Sequence, residues 1–492
     1  MTRITRRHLL PGLAAPFLLR RADAEVTPDI FRFRPEIEPL VTLIENTARE
    51  KCAAMAVEQL RRGVSYRQFM AALFLAGVRN VNPRPPGFAM HCVFVIHSAH
   101  LLGLEAPADA RLLPLFYALD NFKGAQERDA RQTGGDYVMR AIAGKLPAPD
   151  RAAVEFTAAM EAWDQERAER AVVALARHRA GGEVIDMLWR YGARDYRNIG
   201  HKAIYVANAA RTLHTIGWQH AEPVLRSVVL ALLDFGREQQ VNGYALDDQC
   251  YNANAKRVNE IAGDVNRPEG DTVSILDVLR TASPGEACAD IAARLAKGST
   301  GAAAVWDAVH LAAAELRMRS RPANAIVSIH AVTAANALHH GWLAAPESRL
   351  RLLLLLQAAG WMAQFRHFSS ARENALRDFA ITRLEPGAED SSPQEILSAS
   401  LADPDPLAAR VVRLARDLPA RQSFFSAAVR NIVTKAEEVH LYKYLAALIE
   451  DVPLVRPEWQ PHLTAAVVYY TKGSNDPEPV AIKRAREALR TL

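Results

Sequence analysis

Two residues near the C-terminus raise a chemical question. His440 and Lys443 lie three positions apart in the segment Val439-His440-Leu441-Tyr442-Lys443, which opens an apolar run that suits a buried helix. On a helix, residues three apart lie on the same face. A neutral imidazole is the commonest metal ligand, whereas a lysine ammonium has no lone pair and repels a cation. Lys443 is therefore either a surface charge or a residue whose chemistry has been changed so that it can bind metal.

Three further histidines occupy the same place in a loosely repeated unit. His91, His201 and His330 each begin an apolar helical run of about three turns, as His440 does. A glycine ends each of the first three runs and a proline follows all four, which are the usual signals that stop a helix. The pattern predicts four related helical hairpins. If these pack around one axis, the four helix starts meet at one end and the four imidazoles converge.

The rest of the chain is also helical in pattern. A helical pattern runs from Ile37 to about Arg62, and Ser65-Tyr66-Arg67-Gln68 has the spacing of a capping box, which starts another helix. We find no convincing strand alternation, no G-x-G-x-x-G motif and no P-loop, so nucleotide-binding folds are not expected. The sequence predicts an all-α fold. Residues 25–492 would form a single large helical domain of loosely repeated hairpins around a central metal site.

The first 24 residues have the three parts of an export signal. Arg6-Arg7 precede a short apolar segment, and Ala22-Asp23-Ala24 is a small-x-small cleavage site. Paired arginines before a weakly hydrophobic core resemble a twin-arginine signal; the alternative is a disordered basic tail. The apolar segment is shorter than the roughly 20 residues that cross a bilayer, and no membrane span is expected. Residues 1–24 predict export of the folded chain by the twin-arginine machinery to the periplasm or beyond.

The composition excludes several other classes. The 492 residues carry a formal charge of only +5 with scattered arginines, so nucleic-acid binding has little support. The four cysteines are far apart and lack C-x-x-C spacing, which excludes a cysteine zinc module and gives no disulfide framework. One disulfide bridge remains open.

The segments around the four histidines resemble the questin oxidase-like family. Residues 91–103 look like its first His-helix-Gly segment, and residues 199–204 look like its Gly/Leu-His-Pro-x-Ile segment. Residues 329–335 are close to its L-H-x-V-T-x-x motif, which is the most specific match. Residues 438–443 are similar to its acidic-H-x-x-K ending. The resemblance covers most of residues 85–470, in the right order.

The resemblance implies a mononuclear non-haem iron centre that activates O2 and cleaves a ring of an aromatic, polyketide-like small molecule, as a mono- or dioxygenase. Carried over residue by residue, the Fe(II) ligands are His91, His201, His330, His440 and a carboxylated Lys443. Four neutral imidazoles alone would give Fe(II) no negative charge. Burial depresses the pKa of a lysine, and a neutral amine can add CO2 to form an anionic carbamate with oxygen donors. A requirement for NADPH is open, although no dinucleotide motif is present.

Three residues near these ligands are candidates for the substrate pocket: Tyr205, Trp342 and Tyr442. The sequence departs from the family at Met90, Lys202 and Tyr205, where the family usually has Asn, Pro and His. The remaining histidines do not share the position of the four and are interpreted as supporting or structural. They include His97, His100, His214, His220, His339 and His340.

Two other classes of function compete with the oxygenase. Carboxylated lysines and histidines also serve metal-dependent hydrolases, including zinc enzymes, but those sites need aspartate ligands and usually a β/α barrel, neither of which the sequence indicates. The other alternative is a non-catalytic exported helical binding protein in which the histidines are merely packed.

Overall fold

The computed structural model describes residues 29–131, 137–234, 245–261, 265–266, 270–321, 325–373, 376–399 and 401–491. Within these ranges the chain forms twenty-two α-helices, short 3-10 turns and no strand beyond an isolated bridge between Ile30 and Arg140. The predicted all-α fold is therefore confirmed. Among the described helices, none combines the length and apolar character that a bilayer crossing requires. The predicted export signal lies outside the described residues.

The described α-helices are numbered in chain order, with eleven up to Arg257 and eleven from Thr272 onward. Those of the first half are α1 (Glu38–Asn46), α2 (Cys52–Arg61), α3 (Tyr66–Asn80), α4 (His91–Glu105), α5 (Leu113–Asp129), α6 (Ala152–Glu161), α7 (Gln165–His178), α8 (Gly181–Gly192), α9 (His201–Ile216), α10 (Ala221–Leu232) and α11 (Ala245–Arg257). Those of the second half are α12 (Thr272–Thr281), α13 (Pro284–Lys297), α14 (Ala302–Arg319), α15 (Ala325–Ala344), α16 (Ser348–Glu373), α17 (Pro393–Ser398), α18 (Pro404–Leu414), α19 (Leu418–Lys435), α20 (Val439–Asp451), α21 (Gln460–Ala465) and α22 (Val480–Leu489).

Four helices that are distant in sequence form the centre of the fold. Helix α4 packs against α9, α9 against α15, α15 against α20, and α20 against α4. Helix α15 is buried over nearly its whole length and on every side, as expected for a helix enclosed by others. Outer helices cover this centre: α5 packs on α4, α10 on α9, α14 and α16 on α15, and α19 on α20.

Three of the four predicted hairpins are present as consecutive pairs that contact each other: α4 with α5, α9 with α10, and α15 with α16. The fourth unit differs from the prediction. Helix α20 is followed by a 3-10 turn, Val452–Leu454, and the short helix α21 packs on α18. The outer helix that packs on α20 is instead α19, which precedes it in the chain.

The predicted helix starts are right at some positions and wrong at others. Ser65 caps α3 and forms the predicted capping box with Gln68. His91 and His201 begin α4 and α9, but His330 lies inside α15, five residues after its start at Ala325. The helical pattern predicted from Ile37 to about Arg62 corresponds to α1 and α2, which are separated by a turn and a 3-10 segment.

The glycines predicted to stop helices have two different roles. Gly217 ends α9 with a positive φ of 110°, as predicted. Helices α4 and α15 run on past Gly103 and Gly341. A Cβ on Gly341 would lie 2.8 Å from the Trp189 ring, and one on Gly103 would lie 3.0 Å from the carbonyl oxygen of Arg111. These two glycines allow close packing of neighbouring segments rather than helix termination.

Candidate metal centre

The four histidines that begin the repeated units lie together between the central helices. Their ring centroids form a closed circuit: 5.0 Å from His91 to His201, 4.5 Å to His330, 5.1 Å to His440 and 4.6 Å back to His91. All four side chains are buried. The candidate ligand nitrogens of His91, His201 and His330 lie within 4.8 Å of one another. These three histidines form a buried group that can hold a metal ion.

Backbone carbonyls fix which ring nitrogens carry the protons. His201 Nδ1 lies 2.5 Å from the carbonyl oxygen of Asn198, and His330 Nδ1 lies 2.6 Å from that of Ile326. Because a carbonyl can only accept a hydrogen bond, both Nδ1 atoms are donors and carry the proton. In a neutral ring, Nε2 then keeps its lone pair. The two Nε2 atoms are 3.0 Å apart, so their lone pairs repel unless a cation lies between them.

Protonation is disfavoured as a way to remove this repulsion. Burial, and then the nearby Lys443, lower the pKa of His201 to about 3. Burial also holds the pKa of His330 well below its ordinary value, with His201 as the next cause. Both rings are therefore neutral near pH 7. A metal ion is the remaining cation that satisfies both lone pairs.

His440 is oriented in the same way by a carboxylate. Its Nδ1 lies 2.7 Å from Oε2 of Glu438. The Glu438 carboxylate also accepts hydrogen bonds from the backbone N–H groups of His440 and Leu441 at the start of α20. Burial acts to raise the pKa of Glu438, but its hydrogen bonds with His440 and Tyr470 keep that pKa below its usual value. His440 Nε2 is buried and has no hydrogen-bond partner among the described residues. It thus offers a further lone pair beside the three-histidine group.

The ring nitrogens are close enough to share one ion. The Nε2 atoms of His91 and His201 are 2.8 Å apart, and those of His201 and His330 are 3.0 Å apart. Two nitrogen ligands at about 2.1 Å from one ion lie about 3.0 to 3.4 Å from each other, depending on the coordination geometry. The spacing of these three histidines therefore suits a single shared ion.

Lys443 lies beside this cluster as a buried amine. Its side chain is 3% exposed, and Nζ has no hydrogen-bond partner among the described residues. Burial lowers its pKa to about 7, although the charge of Glu438 opposes this shift. Burial is the main cause that lowers the pKa of all four histidines, and the charge of Lys443 lowers it further. Lys443 is therefore not a surface charge, and a large fraction of it is a neutral amine near pH 7.

An unusual turn delivers His201 to the cluster. Asn198, Ile199 and Gly200 have positive φ angles of 57°, 51° and 81°. Such a conformation is costly for a β-branched residue such as isoleucine. A Cβ on Gly200 would lie 3.0 Å from that of Ala334, so the turn also needs glycine there to pack against α15. The turn directs the carbonyl of Asn198 back onto His201 Nδ1.

The three predicted pocket residues have different surroundings. The Tyr205 ring lies 5.0 Å from Phe94, whose own centroid is 5.9 Å from the His201 ring, and its hydroxyl donates to Ser227 Oγ at 2.7 Å. Tyr442 adjoins Lys443 in the chain and stacks on Tyr117 at 4.3 Å. Tyr205 is therefore separated from the His201 ring by Phe94, and Tyr442 is next to Lys443 in the chain.

Trp342 lies away from the cluster. It is twelve residues beyond His330 on α15, or about 18 Å along the helix axis. Its ring contacts Trp306 and His339, and Arg351 lies over it. The structure therefore does not bring Trp342 to the histidines, and its predicted pocket role gains nothing from the geometry.

A layer of polar side chains lies about two to three turns beyond the histidines along the same four helices. The Glu450 carboxylate accepts hydrogen bonds from His97 Nε2 and Asn336 Nδ2, each at 3.0 Å, and Arg211 lies 2.9 Å from it. Burial alone would raise the pKa of Glu450, but Arg211 and His97 lower it to about 2. These residues and Lys443 line a cavity of about 20 Å³, which has room for about one water molecule.

This polar layer was missed by the sequence analysis, apart from His97. A signal was present, because Glu450 follows Lys443 by seven residues. That offset keeps two residues on one face of a helix, two turns apart. The orienting carbonyl groups on the main chain leave no comparable signal in the residue types.

Other residues singled out in the sequence have structural surroundings of their own. His100 hydrogen-bonds with the Tyr66 hydroxyl at 3.2 Å, and His339 pairs with His310 at 2.7 Å. Lys202, which stands where the family usually has proline, is fully buried and ion-paired with Asp195 at 2.8 Å. Lys202 therefore forms a buried ion pair at the position where the family has a turn-forming proline. Its side chain does not reach the histidine cluster.

Comparison with known proteins adds nothing to this geometry: no family model, no curated protein and no solved structure matches the chain. The fold and the site alone define its class. It is an all-α protein whose described part encloses a buried three-histidine group that can hold a metal ion.

Proposed function

We propose that this protein is a non-haem iron-dependent oxygenase. One observation carries the proposal: His201 and His330 keep two Nε2 lone pairs only 3.0 Å apart, with both opposite ring nitrogens committed to carbonyl oxygens. Metal-binding histidines commonly donate their other ring N–H to a carbonyl or carboxylate in this way. Four histidines and one lysine give five candidate ligands, whereas a tetrahedral zinc site takes four, so the ligand set favours iron. The resemblance of the histidine segments to the questin oxidase-like family supports the same assignment.

We assign the ligands as His91, His201, His330, His440 and a carboxylated Lys443. The lowered pKa of Lys443, about 7, leaves a neutral Nζ that can form a bond to the carbon of CO2 and release one proton. The resulting carbamate brings one negative charge and oxygen donors to a site that otherwise holds four neutral rings. Carboxylation also explains a fully buried amine without a hydrogen-bond partner among the described residues.

Iron held by these residues supplies one-electron chemistry with O2. The chain itself contributes orientation and a hydrogen-bond acceptor. Because the Glu450 carboxylate can only accept, His97 Nε2 is the donor, and burial lowers the pKa of His97, which disfavours its protonation. His97 Nδ1 then keeps a lone pair that has no partner among the described residues. Since His97 and Lys443 line the same cavity, we assign His97 Nδ1 as the atom that accepts a hydrogen bond there.

The cavity beside Lys443 has room for a molecule about the size of water. The organic substrate, an aromatic or polyketide-like small molecule whose ring is cleaved, is proposed on the family resemblance alone. No dinucleotide motif is present in the sequence, so any use of NADPH would involve transient binding.

Elemental analysis of protein purified without a histidine tag tests the function. We expect about one iron per chain, as a mononuclear site requires. Zinc in its place would favour a metal-dependent hydrolase, and no metal would favour a non-catalytic binding protein. A His330→Phe variant should lose the metal, whereas His214→Phe, at an exposed histidine, should keep it.

We also propose that residues 1–24 direct twin-arginine export to the periplasm or beyond, which suits a cofactor inserted before translocation. Residues 1–30 fused to a folded reporter should carry it out of the cytoplasm. The Arg6→Lys/Arg7→Lys double substitution should retain the reporter inside, and export that survives it would contradict the assignment.

A further inference from the structure

Two cysteines that the metal site does not use lie against each other where three helices meet. Cys250 is on α11 and Cys288 is on α13, and both helices pack on each other and on α16. The two cysteines are close enough that hydrogen bonding with Cys250 is the largest cause that raises the pKa of Cys288. Cys288 is fully buried and Cys250 is partly exposed. The pair therefore has one sulfur within reach of solvent and one behind it.

A glycine on the neighbouring helix leaves space for both cysteine side chains. Residue 360 on α16 is glycine, and a Cβ there would lie 2.8 Å from Cys288 Sγ and 3.9 Å from Cys250 Cβ. Asn254 Nδ2 donates to Cys288 Sγ at 3.3 Å, while the Cys288 thiol lies 3.3 Å from the carbonyl oxygen of Leu356. The sulfur of Cys288 is thus held in place by specific contacts, and the Cβ of Cys250 lies on the same side of α16.

We propose that Cys250 and Cys288 are a redox-active pair that closes to a disulfide and fastens α11 to α13. The Cys250 thiolate attacks an external disulfide such as oxidised glutathione, so that a mixed disulfide forms and one glutathione thiol leaves. Cys288 Sγ then attacks Cys250 Sγ, and the second glutathione thiol leaves. The two cysteines lose two electrons and two protons in total, and the external disulfide gains them.

The order of attack follows from exposure. The hydrogen bond to Cys250, followed by burial, holds the pKa of Cys288 well above its ordinary value, so this thiol stays protonated until its partner is modified. Cys250 alone can meet a bulky oxidant. Exported chains meet oxidising conditions that cytoplasmic chains do not, but the inference depends neither on export nor on the proposed iron chemistry.

The test uses the full-length reduced chain, kept folded in mixtures of reduced and oxidised glutathione. After acid quenching, denaturation and alkylation, peptide mass analysis should find one linked peptide pair containing residues 250 and 288, about 2 Da lighter than the two thiols. The midpoint of thermal unfolding should rise on oxidation and fall again with a dithiol reductant, because the cross-link restricts the unfolded chain.

Matched variants separate the pair from the other thiols. Cys250→Ser should abolish both the linked peptide and the thermal shift, whereas Cys52→Ser, at a buried cysteine on α2, should change neither. Two results would overturn the inference: alkylation of both cysteines at every glutathione ratio, or a lasting glutathione adduct on Cys250 while Cys288 remains alkylated.

Discussion

His201 and His330 show how single atoms decide the chemistry of this site. Each commits Nδ1 to a backbone carbonyl and so directs an Nε2 lone pair toward the other. His440 does the same through Glu438. The Nε2 lone pairs of His201 and His330 face each other, the His440 ring lies beside them, and Lys443 adds an amine that is partly neutral near pH 7. Lone pairs held this close together favour binding of a cation.

Replacing Lys443 with methionine tests the amine. Methionine has a similar length but no polar group, so we expect Lys443→Met to lose iron during purification. The metal-free variant should be more stable than the metal-free parent by about 1–3 kcal/mol, because a buried amine without a hydrogen bond is removed. Metal content and urea unfolding measure the two effects. Lys483→Met, at an exposed lysine, should change neither, and a fully metallated Lys443→Met would refute the ligand role.

Replacing Glu438 with glutamine tests the orientation of His440. Glutamine keeps the size of the side chain but loses the charge that holds the His440 N–H. Loss of such an orienting partner typically weakens metal binding by about 10- to 100-fold. Competition against a chelator should show this loss with the fold intact by circular dichroism. Glu437→Gln is a matched control because its neighbouring carboxylate is exposed; equal effects of both substitutions would exclude the orienting role.

At the scale of the helix, hydrophobic periodicity in the sequence predicted the helices. The sequence did not distinguish a glycine that ends a helix from a glycine that allows close packing inside one. The glycine after Ile216 ends a helix, whereas Gly341 lies inside one because Trp189 needs the space. No local pattern separates these cases, since the second depends on a residue about 150 positions away. The apolar runs were recognised because their composition reflects enclosure on all sides.

The polar layer across the four central helices predicts a pH dependence. The pKa of Glu450 is about 2 in the folded chain against an ordinary 4.5. Because the folded value is lower, its stabilisation is fully present above pH 4.5 and is lost as the pH falls through about 2. This shift corresponds to about 3 kcal/mol.

Glu450→Gln should therefore lower the free energy of urea unfolding most at pH 7, and the difference from the parent should shrink below pH 4.5. Glu437→Gln, in an exposed ion pair with Lys472, should cost under about 1 kcal/mol. A Glu450→Gln deficit that stays constant from pH 7 to pH 3 would show that charge is not its cause.

At the scale of the whole molecule, equivalent placement in a repeated unit predicted that four distant histidines would meet. The prediction succeeded because each histidine lies at or near the start of a central helix that packs on the next. The strained Asn198–Gly200 turn and the sidechain network at Glu450 depend on contacts between segments more than one hundred residues apart. Those contacts exist only after folding, so residue types alone could not reveal them.

One ion shared by α4, α9, α15 and α20 should couple the stability of the whole centre to metal occupancy. An ion that binds the folded chain alone stabilises it by mass action. Removing it leaves the lone pairs of His201 and His330 opposed at 3.0 Å. We expect chelation to lower the thermal midpoint and to speed amide hydrogen exchange in the first turns of α4, α9 and α20 and around His330.

The outer helix α7, which packs on α6 and α10 rather than on the central four, should keep its exchange rate. Fe(II) added back under anaerobic conditions should restore protection in the parent but not in Lys443→Met, since that variant lacks the proposed fifth ligand. Uniform exchange across α7 and the centre after chelation would point to global destabilisation instead. Protection that is insensitive to metal in the parent would mean that the four helix starts are held by packing alone.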